Sequence, residues 1–264
     1  MKETILSLLP GDFPWREQLL FFETVDSTNT LAKKLAAEGA KDGTVLIADA
    51  QTGGRGRMGR SFHSPSGTGI YLSVILRPGR PAQELMHLTC AAGVAMCDAV
   101  EAAVQLRPGI KWTNDLVCNG KKLGGILTEL VLLPGADPCA IVGIGINCSQ
   151  AAGDFPEDIR PIAASLSMAC GHSVDRCSVI AAMLLSLKHM RDALFTEKSA
   201  IMQQYRKDCV TVGREISLRG GDSLRHGTAV GIDENGGLDV IFSDGSRQTV
   251  TSGEVSIRGM YGYV

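Results

Sequence analysis

The sequence predicts an α/β (α+β) domain followed by a small all-β barrel. Three observations carry this expectation. Strand-like and helix-like runs alternate between Phe21 and about Asp208. From Gly213 onward the helical period disappears, and short strand-like runs recur between turn signals. Hydrophobic residues fill 44% of the 264 positions, enough for one large core with a small partner domain.

Taken in order, residues 1–20 are a short N-terminal segment, in which Ile5–Leu9 is apolar but brief and Pro10-Gly11-Asp12 ends it. Phe21–Val25 reads as a strand entering a turn at Asp26-Ser27-Thr28-Asn29. Asp26 or Ser27 can cap the helix that follows, Asn29–Glu38, which sets Leu31 and Leu35 on one face before Gly39 closes it. Thr44–Ala48 is a buried strand, and Ile70–Leu76 is another. Pro78 and Pro81 separate the second from a long helix, about Ala82–Ala103, whose many small residues suit close packing on a sheet. Gly109–Trp112 is strand-like, and Asn119-Gly120 is a two-residue hairpin signal joining Asp115–Val117 to Gly125–Leu133. Ala140–Asn147 reads as a central strand whose glycines let a ligand approach. Pro156–Ser167 is irregular, Arg176–Leu194 is an amphipathic helix, and Ser199–Arg206 continues it or forms another. The barrel strands are Glu215–Leu218, Ser223–Ile232, Leu238–Ile241, Arg247–Thr251 and Val255–Ile257. Turn signals fall at Gly220-Gly221, Glu234–Gly237 and Ser243–Gly245, which divides the chain into 1–20, 21–210 and 211–264.

Composition narrows the function classes. The net charge of −2 gives no global basic field for nucleic acid. No apolar run approaches the ~20 residues of a membrane span, and the start of the chain does not read as a secretion signal. The eight cysteines form no CxxC pair and several sit in apolar runs, so buried free thiols in a reducing, cytoplasmic setting are expected. None of the five histidines pairs with a cysteine at a metal spacing.

Gly53–Phe62 (GGRGRMGRSF) packs four glycines and three arginines around one methionine. Arginine offers a planar, always-charged fork that matches carboxylate and phosphate oxygens, and glycine permits close backbone approach. Such a loop is costly to order unless an anion orders it. Two readings fit the residues: a loop that closes over a phosphate-bearing ligand, or a solvated basic hairpin tip. The Walker pattern GxxxxGK[ST] is absent.

The loop also carries a resemblance. Gln51–Arg60 resembles the GRGRxGR biotin and adenylate loop of biotin protein ligases. Lys111-Trp112-Thr113-Asn114-Asp115 resembles that family's KWPND motif, with Thr113 in place of the usual proline. Lys122–Leu127 is similar to its KLxGIL motif, Gly143–Asn147 to its GxGxN strand, Asp26–Asn29 to its DSTN segment, and Gly253–Arg258 to the closing strand of its SH3-like domain. The resemblance implies a class II synthetase/biotin-ligase-like mixed sheet with flanking helices and a C-terminal SH3-like barrel. It also implies an ATP- and Mg²⁺-dependent enzyme that activates biotin as biotinoyl-5′-AMP with release of pyrophosphate. Biotin is then transferred to a lysine of the biotin carboxyl carrier protein of a biotin-dependent carboxylase. Family members that repress transcription carry an N-terminal helix-turn-helix domain, for which these residues leave no room, so no DNA partner is expected. Monomers and homodimers both occur in the family. Lipoate ligases and octanoyl transferases share the catalytic fold and form the alternative reading, as does a non-catalytic biotin-binding regulator.

The implied roles are specific. Lys111 and Arg57 are the catalytic candidates: both neutralise the biotin carboxylate and the α-phosphate, two anions that must meet. On the residues alone Lys111 reads equally as a surface lysine lying over Trp112. Biotin falls to Ser27, Thr28, Asn29, Gln51, Gly54, Arg55, Gly56, Arg57, Lys111, Gly124 and Gly125. The neutral ureido ring suits Ser, Thr and Gln, although Ser27 and Thr28 also read as helix caps and Gly124 and Gly125 as a β-bulge. ATP and the adenylate fall to Arg55, Arg57, Arg60, Phe62, Lys111, Asn114 and Asn147. Phe62 offers a face for adenine, and Asp115 either orients its neighbours or helps a Mg²⁺. Met58 stands where some members carry a further basic residue.

Overall fold

Side-chain alternation along the strands decides which helix covers which face of the main sheet. The structure is a computed structural model, and it describes residues 1–132, 135, 137–220, 223–257 and 260. Of the residues named above, Leu133, Gly221 and Arg258 lie outside the described residues. The chain runs α1 (Lys2–Leu8), β1 (Leu19–Val25), α2 (Thr28–Ala37), β2 (Thr44–Gln51), β3 (Gly69–Leu76), α3 (Leu88–Val104), β4 (Gly109–Lys111), β5 (Asp115–Cys118), β6 (Lys121–Val131) and β7 (Cys139–Asn147). Then follow α4 (Leu166–Cys170), α5 (Arg176–Ala193), α6 (Lys198–Asp208), β8 (Glu215–Gly220), β9 (Ser223–Ile232), β10 (Leu238–Phe242), β11 (Arg247–Val250) and β12 (Glu254–Ile257).

Strands β1 to β7 form one mixed sheet in the order β1-β2-β3-β7-β6-β5-β4, with β1 and β2 parallel and the other neighbours antiparallel. Successive residues of a strand point to opposite faces. Val45, Ile47, Leu72, Val74, Val142 and Ile144 therefore join the large core under α3 and α5, while Leu46, Ile75 and Ile141 pack with Ala32 and Ala36 of α2 on the other face. Ser27 caps α2, its Oγ accepting from the Thr30 amide, and Asp175 caps α5 through the Cys177 and Ser178 amides.

Strands β8 to β12 form a second, antiparallel five-stranded sheet in the order β11-β10-β9-β8-β12. Its apolar residues Ile216, Ala229, Leu238 and Val240 belong to the same continuous core as the first sheet. The two sheets meet at the end of β4. There the Trp112 indole Nε1 donates to the Gly236 carbonyl (2.8 Å) and the Trp112 amide donates to Thr211 Oγ1 (2.9 Å). Arg107 fixes the entry to β4, pairing with Asp98 and Glu101 of α3 and with both oxygens of Asp208 at the end of α6.

Two expectations change. The N-terminal segment contains a helix, α1, which packs on α5 and buries Ile5. Seven residues are too few for helical periodicity to show in the sequence. The stretch Ala82–Val104 is long and apolar enough to cross a membrane, although two-thirds of its apolar window is buried inside this fold. Helix α3 is the core helix against which β5, β6, α5 and α6 pack, which explains its composition.

Candidate active site

One row across the main sheet lays out the site. Lys111 pairs with Asp115, Asp115 with Gly125, Gly125 with Gly145, and Gly145 with Tyr71. Directly opposed residues share a face, so this row runs from two charged side chains to two glycines and a buried tyrosine. The face is that of α2, because Gly143 and Gly145 continue the register of Ile141. Side chains are excluded at both glycines by close approach. A Cβ on Gly145 would lie 2.6 Å from the Phe62 ring, and one on Gly143 would lie 1.9 Å from Asn29 Oδ1. The glycines thus make the floor of a cavity, with Phe62 standing on one of them and meeting Tyr71 edge-on.

The end of this cavity nearest α2 is neutral and tightly wired. Gln51 Oε1 accepts from the Thr28 amide (2.8 Å) and the Thr28 hydroxyl (3.1 Å), while its Nε2 donates to Ser64 Oγ (3.0 Å). Buried Ser73 bonds to Thr28 Oγ1 and Asn29 Oδ1. Asn29 Nδ2 donates to the Leu127 carbonyl and the Glu129 carboxylate, which also pairs with Lys33. These groups hold one another in place, which makes this end of the cavity a preorganised, neutral polar surface. The Asn29 and Gln51 side chains each make three hydrogen bonds to the protein, so both brace the site as well as lining it.

The opposite end is cationic. Arg55, Arg57, Arg60, Lys111 and Lys122 line the cavity, against the carboxylates Asp115 and Glu254. Five cations to two anions, in a chain of net charge −2, concentrate positive field at this end of the cavity. The arginine loop folds as a short hairpin, with the Phe62 amide donating to Gly54 O and the Gly56 amide to Arg60 O. Met58 takes φ 55° at its tip, where it lines the cavity and remains largely exposed. Arg57 Nη1 donates to Thr113 Oγ1 (2.6 Å) and Asn114 Oδ1 (2.9 Å). Asn114 is itself oriented by donating to the Ile126 carbonyl. Arg60 pairs with Glu254 of β12.

Lys111 is buried, with 8% of its surface exposed. Burial pushes its ammonium below the ordinary lysine range, and neighbouring Lys122 and Arg60 add to this while Asp115 and Glu254 oppose it. A surface lysine over Trp112 is therefore not what the fold builds. Lys122 pairs with Asp115 at 2.7 Å, and its Nζ comes 3.5 Å from where a Gly125 Cβ would stand.

Of the residues expected at the site, Ser27, Thr28, Asn29, Gln51, Arg55, Gly56, Arg57, Arg60, Phe62, Lys111, Asn114, Asp115 and Gly125 line this one cavity. Gly54, Gly124 and Asn147 do not. Gly54 is packed under Phe62 and Ser64, and Gly124 against β7, where a Cβ would meet the Gly145 carbonyl at 2.4 Å. Asn147 is buried and donates to the Ala164 carbonyl, so the segment before α4 covers it. Lys122, the Thr113 hydroxyl and Glu254 were not expected among the site residues. All three lie inside motifs already named, Glu254 in Gly253–Arg258.

Comparison with known proteins points the same way. Residues 21–147 match the signature of the biotin/lipoate A/B protein ligase family, and residues 211–258 match that of the biotin protein ligase C-terminal domain. The bifunctional ligase/repressor BirA of Bacillus spizizenii is 39% identical over 236 residues, 88% of this chain and 72% of that protein. The biotin–[acetyl-CoA-carboxylase] ligase of Mycobacterium tuberculosis is 34% identical over 248 residues, covering 91% and 89%. The solved biotin protein ligase from Aquifex aeolicus in complex with biotin and ATP superimposes with a TM-score of 0.76 at 32% identity, covering 91% of this chain and 98% of that one.

Proposed function

This chain belongs to the biotin protein ligase family, and on that premise we propose that its cavity joins biotin to ATP and then hands the biotinoyl group to a protein lysine. The observation that carries the reading is the row Lys111–Asp115–Gly125–Gly145, which sets a cationic end and a side-chain-free floor in one cavity. The neutral end, with Thr28 and Gln51, suits a ureido ring. The glycine floor suits the fused rings and the valeryl chain. The carboxylate then reaches the cationic end, where the ATP α-phosphate must also lie. Both reactants are anions, so their approach depends on charges fixed in advance. Lys111 and Arg57 neutralise the reacting carboxylate and phosphoryl oxygens, Lys122 adds a third cation, and Arg55 and Arg60 meet the departing pyrophosphate. Phe62 offers its edge and face to the adenylate. The acceptor amine then attacks the acyl carbon, and AMP leaves.

Family resemblance implies Mg²⁺ with ATP. Asp115 does not suit a metal ligand as it stands, because Lys122 Nζ holds its Oδ1 at 2.7 Å. We assign Asp115 to orienting Lys122, and Mg²⁺ to the triphosphate itself, with no step routed through this carboxylate. The acceptor proposed is the carrier domain of an acetyl-CoA carboxylase, following the activity of the Mycobacterium relative. The free state of all eight cysteines supports a reducing, cytoplasmic setting.

The test is isotope exchange between labelled pyrophosphate and ATP. Biotin is expected to support exchange and lipoate is not. Exchange driven by lipoate, or none with biotin, overturns the assignment. A second expected result concerns the loop. Trypsin is expected to cut at Arg55 and Arg60 in the free enzyme, where both residues are exposed, and to be excluded once biotin and ATP are added. Equal cleavage rates in the two states would show that the arginines do not close on the adenylate.

A further inference from the structure

We propose that Thr113 is a positioning residue for this reaction, because its hydroxyl sets where the Arg57 guanidinium stands. The inference rests on the role given above to Arg57.

Arginine side chains on a glycine-rich loop have many rotamers, and a cation that wanders stabilises a transition state poorly. Arg57 is held by one nitrogen, Nη1, which donates to Thr113 Oγ1 at 2.6 Å and to Asn114 Oδ1 at 2.9 Å. Both distances are those of a charged donor on a good acceptor. Two acceptors on consecutive residues fix the direction of that N–H bond set and leave the Nε and Nη2 donors for a ligand.

The acceptor is worth holding on to only if it is itself fixed, and the backbone of Thr113 is. Its carbonyl accepts from the hydroxyl of Tyr205, a fully buried side chain of α6 (3.1 Å). One residue earlier, Trp112 is tied by its indole to Gly236 and by its amide to Thr211. Gly236 lies in a turn closed by Asp233, whose carboxylate accepts from the Asn235 and Gly237 amides. Thr113 is therefore a hydroxyl on an immobile platform built by α6 and the second sheet. Arg57 is on the glycine-rich loop, for which closure over the ligand is the reading given above. Thr113 and Arg57 also line a second cavity, together with Met86, Thr89, Cys90 and Gly236. Without the hydroxyl the guanidinium has space there to swing away from the substrate.

No motif announces this role. Proline, which stands at this position in the motif that the segment resembles, offers no hydroxyl, so the contact is a property of this chain's own Thr113.

Steady-state kinetics on the full chain tests the proposal with four variants: Thr113→Val, Thr113→Ser, Arg57→Ala and the double variant Thr113→Val/Arg57→Ala. Valine keeps the shape and removes the acceptor. Thr113→Val is expected to lower kcat for biotinoyl-AMP formation roughly ten-fold, the size of a lost charged hydrogen bond, with the KM for biotin unchanged. Thr113→Ser is expected to recover most of this. Arg57→Ala is expected to lose more, and Thr113→Val is expected to add nothing to it. Additive losses would show that Thr113 acts elsewhere, through the fold, and would overturn the inference. So would a Thr113→Val enzyme at wild-type rate, or a serine variant as impaired as the valine variant. If instead Arg57→Ala is itself near wild-type, the role given to Arg57 fails and takes this one with it, which separates the two failures.

Discussion

Lys111→Ala is expected to abolish biotinoyl-AMP formation to within about a thousandth of the wild-type rate while leaving the protein folded. A thousand-fold loss corresponds to about 4 kcal/mol of transition-state stabilisation, a reasonable loss for one ammonium acting at the reacting phosphate. The structure makes the folding half of this expectation stronger. Lys111 is buried beside the carboxylates of Asp115 and Glu254 and the cations Lys122 and Arg60, and burial, the largest influence, holds its ammonium below the ordinary lysine range. The free enzyme bears a cost for that charge, because a buried ammonium gives up hydration. Alanine removes the cost. The melting temperature of Lys111→Ala without ligand is expected to match or exceed wild-type. A variant that forms the adenylate at near wild-type rate removes Lys111 from the mechanism. One that fails to fold overturns the account of why the lysine is costly.

The same residue gives a pH dependence with a definite sign. Its folded pKa lies below its unfolded one, so between the two values the unfolded chain binds more protons. Its contribution to stability therefore rises with pH, from the lowered value up to the ordinary lysine value near 10.5. Activity runs the other way. Catalysis needs the ammonium, so the alkaline limb of kcat/KM for ATP is expected to fall before the ordinary lysine value is reached. Substrate anions restore the protonated form, so the limb seen in kcat lies at higher pH than that seen in kcat/KM. Coincident limbs would place the titration elsewhere.

Much of this architecture is legible in the residues, for reasons particular elements show. The Asn119-Gly120 hairpin, the capped start of α2 and the two glycines of β7 each rest on local chemistry that tertiary context does not override. The arginine loop declares its chemistry by composition. What the residues hide depends on register and coverage. A strand read as beginning at Gly125 leaves Lys122 outside it. The strand in fact begins at Lys121, and a register shift opposite Leu116 and Val117 brings the lysine over the cavity. Asn147 sits in a stretch that resembles the family's GxGxN strand, yet the irregular segment around Ala164 lies over it and takes its amide. No periodicity predicts where an irregular segment will pack. Glu254 is more than 100 residues from every other charged residue of the site, and no local pattern can bring it there.

Removal of the C-terminal sheet is expected to stop adenylate formation as well as transfer. The sequence alone suggests a milder outcome, since every residue assigned to biotin precedes Asn147 and a truncated 1–210 chain would keep them all. The structure argues for more. Gly253, Glu254 and Val255 form one wall of the cavity, and Glu254 engages Arg60 of the loop. The Gly236 carbonyl holds Trp112, the residue between Lys111 and Thr113. Truncation would leave the Trp112 N–H without that acceptor and open the cationic end to water, where every charge acts more weakly. It would also expose the apolar face that Ile216, Leu238 and Val240 cover in the shared core, so circular dichroism and solubility come first. Glu254→Gln provides the same test within a folded chain. It removes one counter-charge from beside Arg60 and keeps the sheet. For the truncated chain, binding of biotin alone is expected to weaken by less than about ten-fold, because the ureido end at Thr28 and Gln51 is wired within the main sheet. Its exchange of pyrophosphate into ATP is expected to vanish. The Glu254→Gln enzyme is expected to bind biotin normally and to show a raised KM for ATP, since Arg60 then loses the charged Glu254 partner. A folded 1–210 chain exchanging pyrophosphate at the full-length rate, together with an unchanged Glu254→Gln enzyme, would confine the adenylation site to the main sheet and leave the second sheet no part in building it.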